Sequence, residues 1–239
     1  MSHNPTPFPM IQLLRNNFPE SVHYGSAVVV GAGNKTLVEW GEVDKMIFPR
    51  SAVKIIQAIP LIESGAVDTY KLGAQQLAIV CSSHQGSPIH TTIIKNWLMG
   101  IGFSEKDLKC GIQPPSDRFE RQKLRESGEK PSELHNNCSG KHAGFLTFSK
   151  HKNLSFEYNE VDHPLQIKIR MVLEELSGEK IENYGIDGCS APNFMCSLRG
   201  LASAMHSLTD RRRLGKTRSI SVEGILQAMQ SYPLLVAGT

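Results

Sequence analysis

Phe48-Pro49-Arg50-Ser51-Ala52-Val53-Lys54-Ile55-Ile56-Gln57-Ala58-Ile59-Pro60-Leu61-Ile62-Glu63-Ser64-Gly65 is the stretch that decides the fold. Pro49 and Ser51 suit a helix start, and Gly65 suits its stop. Apolar residues fall on nearly every side of the intervening helix, so the sequence predicts a buried helix, kinked at Pro60. Such a helix must be wrapped by other elements, and a chain of 239 residues can build the core that does so. Its 40% hydrophobic and 21% charged residues match a soluble globular domain, so one domain over residues 1–239 is expected.

On the N-terminal side, four prolines (Pro5, Pro7, Pro9, Pro19) predict an irregular lead-in over the first 20 residues. Two β-favouring runs, residues 26–30 and 35–43, flank Gly31-Ala32-Gly33-Asn34 and predict a hairpin that covers the apolar helix. On the C-terminal side, helices are predicted over residues 71–80, 89–99, 141–149, 163–176 and 222–230. Residues 111–134, rich in Pro, Gly and charge, read as a long loop or short irregular helices. The chain is thus mainly helical, with one hairpin near its start.

The net charge of +3 is too small to imply a nucleic-acid partner. Arg211-Arg212-Arg213, with Lys216 and Arg218 close by, reads as a solvated helix end or loop, the alternative being a phosphate patch. No secretory signal is visible, and no apolar run of about 18 residues suggests a membrane span. Cys81, Cys110, Cys138, Cys189 and Cys196 are odd in number and scattered, unlike a disulfide framework. A reduced, cytoplasmic protein is expected.

Ser51 and Lys54 form a Ser-x-x-Lys pair, which at helical spacing shares one face. Burial in an apolar helix lowers a lysine pKa, because the charged form loses its water. The neutral amine can then take the serine's proton. With 23 serines and 15 lysines, chance gives roughly 1.4 such pairs, and four occur. The others, Ser127/Lys130, Ser149/Lys152 and Ser177/Lys180, sit among polar residues where lysine stays charged; only Ser51/Lys54 opens an apolar helix. The plainer reading is an N-capping serine followed by a lysine that snorkels to the surface.

Three further clusters carry reactive groups. In Cys81-Ser82-Ser83-His84-Gln85-Gly86 a serine could relay a proton; alternatively a helix simply passes into a loop. Asn136-Asn137-Cys138-Ser139-Gly140-Lys141-His142 and Asp187-Gly188-Cys189-Ser190-Ala191-Pro192 hold two thiols, an imidazole, an ammonium and a carboxylate that could meet in the fold. Thiolates are good zinc ligands, but no Cys-x-x-Cys pair exists, and two buried structural cysteines are the alternative. Ser139-Gly140-Lys141 lacks the glycine spacing of a phosphate loop.

In this order, and with Glu20-Ser21-Val22-His23-Tyr24-Gly25 and Asp162-His163-Pro164-Leu165-Gln166, these clusters resemble the rhizobial-type L-asparaginases, also called L-asparaginase II. The resemblance runs from about residue 20 to the end of the chain. It implies an α+β fold like that of the serine β-lactamases and penicillin-binding proteins, with helices packed on an antiparallel sheet. It implies Ser51 as nucleophile, Lys54 as its base, Ser83 as the second serine of a relay, and Arg50 and Asp187 at the substrate. It also implies zinc held by Cys138, Lys141 and Cys189. A lysine that binds metal must be neutral. In this family the metal places the substrate rather than generating hydroxide. The implied reaction is hydrolysis of L-asparagine to L-aspartate and ammonia through an acyl-enzyme. A small-molecule substrate is then the expected partner, and a homodimer is left open. Family members continue past the position of Thr239 with closing strands and a further lysine of the site, so a C-terminal truncation is expected. The alternatives are an inactive remnant or a related serine amidohydrolase acting on glutamine or a β-lactam.

Overall fold

The computed structural model describes residues 8–238; the lead-in predicted for residues 1–7 lies outside them. From residue 8 onward the lead-in is not irregular. Strand β1 (Phe8–Arg15) pairs antiparallel with β2 (Phe18–Gly25). Asn16 and Asn17 turn the chain with φ of 45° and 69°, a left-handed conformation that asparagine tolerates and that tight hairpins favour. Of the prolines that argued against strands, Pro9 and Pro19 lie within the described residues and sit where the ladder is already interrupted. Register shifts fall between Pro9 and Ile11 and between Leu13 and Leu14, and Leu14 faces Pro19. The hairpin is solvent-facing, with Ile11, Leu14 and Phe18 exposed.

The predicted hairpin follows as β3 (Ala27–Gly31) and β4 (Lys35–Trp40), then β5 (Met46–Ile47). A 3-10 turn, Arg50–Val53, leads into α1 (Lys54–Glu63), which contains Pro60 and ends at Gly65 with φ 85°. Next come α2 (Ala66–Thr69), α3 (Ala74–Val80) and α4 (Pro88–Gly100). The segment read as a long loop or short irregular helices contains α5 (Arg118–Ser127), a polar helix capped by the Asp117 carboxylate, which accepts the Glu120 N–H at 2.7 Å. The chain continues through α6 (Ser139–His151), α7 (Pro164–Ser177), β6 (Tyr184–Ile186), β7 (Pro192–Phe194) and β8 (Cys196–Ser197). It closes with α8 (Leu198–Thr209), which the sequence reading missed, then α9 (Lys216–Ser231) and α10 (Pro233–Ala237).

Among the described residues the strands form four two-stranded antiparallel sheets, β1–β2, β3–β4, β5–β8 and β6–β7. The fold is therefore mixed α+β, but the helices do not pack on one antiparallel sheet as expected. Nor does the β3–β4 hairpin cover α1; β3 lies on α8. No helix among the described residues is long and apolar enough to cross a membrane. The arginine-rich run is a one-turn element in which Arg211 pairs with Glu223 and Arg212 with Asp210, as a solvated segment would.

Helix α6 is the innermost element, with every residue from Ser139 to Ser149 buried. Helix α1 packs on α6, α7 and α9 and buries Ile56 and Ile59 completely. Helix α3 approaches α6 more closely than side chains normally allow. A Cβ on Gly140 would stand 2.5 Å from the Ile79 carbonyl oxygen, and one on Gly144 would stand 2.6 Å from Val80 Cγ2. Two glycines one turn apart thus set the end of α3 against the start of α6. Gly140→Ala is expected to cost about 1–3 kcal/mol by overpacking. Gly224→Ala on α9, where a Cβ meets nothing within 4 Å, should be neutral or stabilise by roughly 0.5–1 kcal/mol. Urea unfolding of both variants checks this; a Gly140→Ala protein as stable as the parent would show that α6 can back away from α3.

Candidate functional site

Arg50 adopts φ 51°, a left-handed conformation unusual for a residue with a side chain. Its N–H donates to Asn193 Oδ1 at 3.3 Å, so a residue of β7 holds the backbone just before Ser51. Ser51 itself is exposed in the 3-10 turn, while Lys54, at the start of α1, is only 2% exposed.

Lys54 Nζ donates to three acceptors: Ser82 O at 2.5 Å, Ser83 Oγ at 2.9 Å and Asn137 O at 3.3 Å. Ser83 Oγ in turn lies 2.8 Å from Ser51 Oγ. Ser83 therefore bridges the pair that the sequence spacing had placed in direct contact. Proton counting gives this arrangement a direction. Carbonyls can only accept, so a neutral amine spends its two N–H groups on Ser82 O and Asn137 O. Its lone pair then faces Ser83, which can donate to Lys54 while accepting from Ser51. Burial pushes the Lys54 pKa down, and the positive charge of Lys141 adds to this; Cys138 and Cys189 act in the opposite sense.

The acceptors come from two segments. Ser82 and Ser83 follow α3, and Asn137 precedes α6. Both lie where the glycine contacts press these helices together.

Beside this line, Cys138 and Lys141 of α6 meet Cys189, which lies in the turn between β6 and β7. Lys141 Nζ donates to Cys189 Sγ at 3.3 Å. Cys138 Sγ donates to Asn137 Oδ1 at 3.2 Å, and its interaction with Cys189 drives the Cys189 pKa down and, together with burial, the Cys138 pKa up. His142 also reaches Cys189 electrostatically, and burial lowers its pKa to about 4. Its Nδ1 lies 3.0 Å from the Tyr158 hydroxyl, while its buried Nε2 has no hydrogen-bond partner.

Among the described residues, no group of three or more His, Cys, Asp or Glu side chains is placed to hold a metal. A metal here therefore requires Lys141 as a donor. Two sulfurs and an amine nitrogen converge, with a partnerless buried ring nitrogen nearby. These are donor types that zinc accepts, so the residues fit the ion.

Asp187 stands in the same turn as Cys189. Its Oδ1 accepts from Asn193 Nδ2 at 3.1 Å and lies 3.6 Å from Arg50 Nε. Asn193 thus joins both residues expected at the substrate, a role that nothing in its local sequence signalled. The relay and the cysteine–lysine cluster adjoin, since Lys54 feels Cys138, Lys141 and Cys189 electrostatically. Two surface clefts of about 580 and 610 Å³, one around Glu63 and Arg218 and one around Ile89 and Phe119, contain none of these side chains.

No curated protein matches this sequence. The family model of L-asparaginase II, however, matches residues 11–239, a span that includes all eight of the residues singled out above for nucleophile, relay, substrate and metal. The chain belongs to the L-asparaginase II family.

Proposed function

We propose that this chain hydrolyses L-asparagine to L-aspartate and ammonia, with Ser51 as the nucleophile. The observation that carries the reading is the Lys54–Ser83–Ser51 hydrogen-bond line ending at a desolvated amine. In the first step Ser51 Oγ attacks the side-chain amide carbon. Its proton passes to Ser83 Oγ as the Ser83 proton passes to Lys54 Nζ. The protonated relay then returns a proton to the departing nitrogen, and ammonia leaves an aspartyl ester on Ser51. Water attacks that ester with the same relay as base, releasing aspartate. Arg50 and Asp187, linked by Asn193 at the exposed end of the line, supply opposite charges for the α-carboxylate and α-ammonium of asparagine. Cys138, Lys141 and Cys189 would hold zinc, which when bound supplies positive charge for placing the substrate. Five free, buried cysteines suit a reducing, cytoplasmic setting.

Ser51→Ala and Lys54→Met are each expected to lower ammonia release by about 10³-fold or more, as for members of one catalytic unit. Ser83→Ala should cost nearly as much, because Lys54 reaches Ser51 through it. Retention of most activity by Ser51→Ala would sink the assignment. Parallel assays on glutamine and a chromogenic β-lactam fix the substrate class.

The pH dependence follows from the direction of the Lys54 shift. The base must be neutral, so kcat/KM should rise with pH through the Lys54 pKa, which lies below its ordinary 10.5. Activity should therefore be lost as pH falls through that lowered value. A rate that declines as pH rises through the same window would contradict a lysine base.

Purified protein is expected to carry close to one zinc per chain by elemental analysis. Cys189→Ala should reduce that content sharply and raise KM more than it lowers kcat. Protein with no bound zinc, freely titratable Cys138 and Cys189 and an ordinary KM would count against the metal site.

A further inference from the structure

We propose that His84 is a positioning residue for the relay: it ties the Ser82–Ser83 segment to Ser139 at the start of α6 and so fixes the acceptors around Lys54. The proposal rests on the reading of Ser51, Ser83 and Lys54 given above and extends it to a residue outside the proton line.

The hydrogen bonds fix the tautomer of His84. Its Nδ1 accepts the Gly86 N–H at 3.1 Å, so that nitrogen carries the lone pair. Nε2 then carries the proton and donates to Ser139 Oγ at 2.9 Å, while Ser139 Oγ donates onward to Leu134 O at 2.9 Å. Moving the proton to Nδ1 would set N–H against N–H at Gly86 and leave Ser139 without its donor. The ring is also fully buried and stacks on His90, with centroids 5.0 Å apart and planes at 12°. His90 is fixed in the same way. Its Nδ1 meets Ser87 Oγ at 2.7 Å, and its Nε2 meets Leu234 O at 3.2 Å. Burial holds the His84 pKa well below its ordinary value, consistent with a neutral donor.

The position of this bond gives it a function. Lys54 takes two acceptors from one segment, Ser82 O and Ser83 Oγ, and a third, Asn137 O, from another. His84 is one residue after Ser83, and Ser139 is two residues after Asn137. The His84–Ser139 bond therefore closes a ring through Lys54 and holds both segments at the separation the amine requires. Gly86 permits the loop to lie there: its φ is 72°, and a Cβ would stand 2.7 Å from the His135 carbonyl oxygen. Without the bond Ser83 can drift from the line between Lys54 and Ser51. A misplacement of about 1 Å costs on the order of 10²-fold in rate.

The test compares His84→Leu, His84→Gln and Ser139→Ala. Each is assayed for kcat and KM with asparagine, and for the rate at which a fluorophosphonate labels Ser51. His84→Leu and Ser139→Ala are expected to lower kcat and the labelling rate together, His84→Leu by on the order of 10²-fold, with KM little changed. His84→Gln, which can place an amide N–H near the position of Nε2, should recover a large part of both. Thermal unfolding identifies variants that remain folded; if His84→Leu does not, Ser139→Ala carries the test. Unchanged kcat and labelling in a folded His84→Leu or Ser139→Ala protein, or a loss confined to KM, overturns the proposal. Labelling that persists in Ser51→Ala would instead remove the underlying nucleophile assignment.

Discussion

An amine buried to 2% exposure, with no carboxylate among its hydrogen-bond partners, is the constraint around which this structure is arranged. Burying Lys54 is costly while it is charged and also costly if its N–H groups go unpaired. Two main-chain carbonyls and one hydroxyl meet the second cost without imposing a charge. A carbonyl accepts from an ammonium or an amine alike, so the shell serves both protonation states. Three separate segments must converge to supply it: the start of α1, the end of α3 and the approach to α6. The missing Cβ atoms of Gly140 and Gly144 allow that convergence.

Helix α6 is the strut common to the whole site. The residues at its start serve different neighbours: Asn137 the Lys54 amine, Cys138 and Lys141 the sulfur of Cys189, and Ser139 the ring of His84. Its burial along eleven residues, Ser139 to Ser149, leaves little room for its start to shift independently of the core. Positional precision at the site is therefore inherited from packing. A change that lets α6 move by a fraction of an ångström is felt by all three groups together. This is why the close approach of α3 bears on chemistry as well as on stability.

Much of this was legible in the sequence, and the parts of the site that were not share a cause. A helix apolar on all sides is a local pattern, so α1 could be read directly, whereas the burial of Lys54 had to be weighed against a lysine snorkelling to the surface and is decided by the structure. The clusters containing Ser83, Cys138 and Cys189 were visible because reactive residues crowd within a few positions. The role of Ser83 as a bridge between Ser51 and Lys54 was not legible from spacing, since it depends on a partner 32 residues from Ser51. Asn193 was missed altogether, as its bond to Arg50 spans 143 residues and leaves no local trace. The β1–β2 hairpin was misread for a different reason. Proline was taken as a breaker of strands, whereas here Pro9 and Pro19 fall at bulges and Asn16-Asn17 supplies the turn. The two-residue pairing of β5 with β8 is too short to show any alternation.

The distribution of charge completes the physical account. A carboxylate beside Lys54 would bury more easily with it, but it would also hold the ammonium charged and abolish the base. The nearest carboxylate assigned to the site, Asp187, is occupied elsewhere. It is held by Asn193 and faces Arg50 at the solvent-exposed end. Asn193 makes that separation rigid, because one amide spends its oxygen on the Arg50 backbone and its nitrogen on Asp187. Opposite charges are thereby kept at the exposed end, and the buried amine is left to neutral acceptors. The proposed serine–lysine mechanism requires both conditions at once. The amine must be dry enough to lose its proton, and the substrate end must be wet and charged enough to capture a zwitterion. In this fold the boundary between the two environments runs between Lys54 and Ser51, with the exposed hydroxyl of Ser83 placed across it.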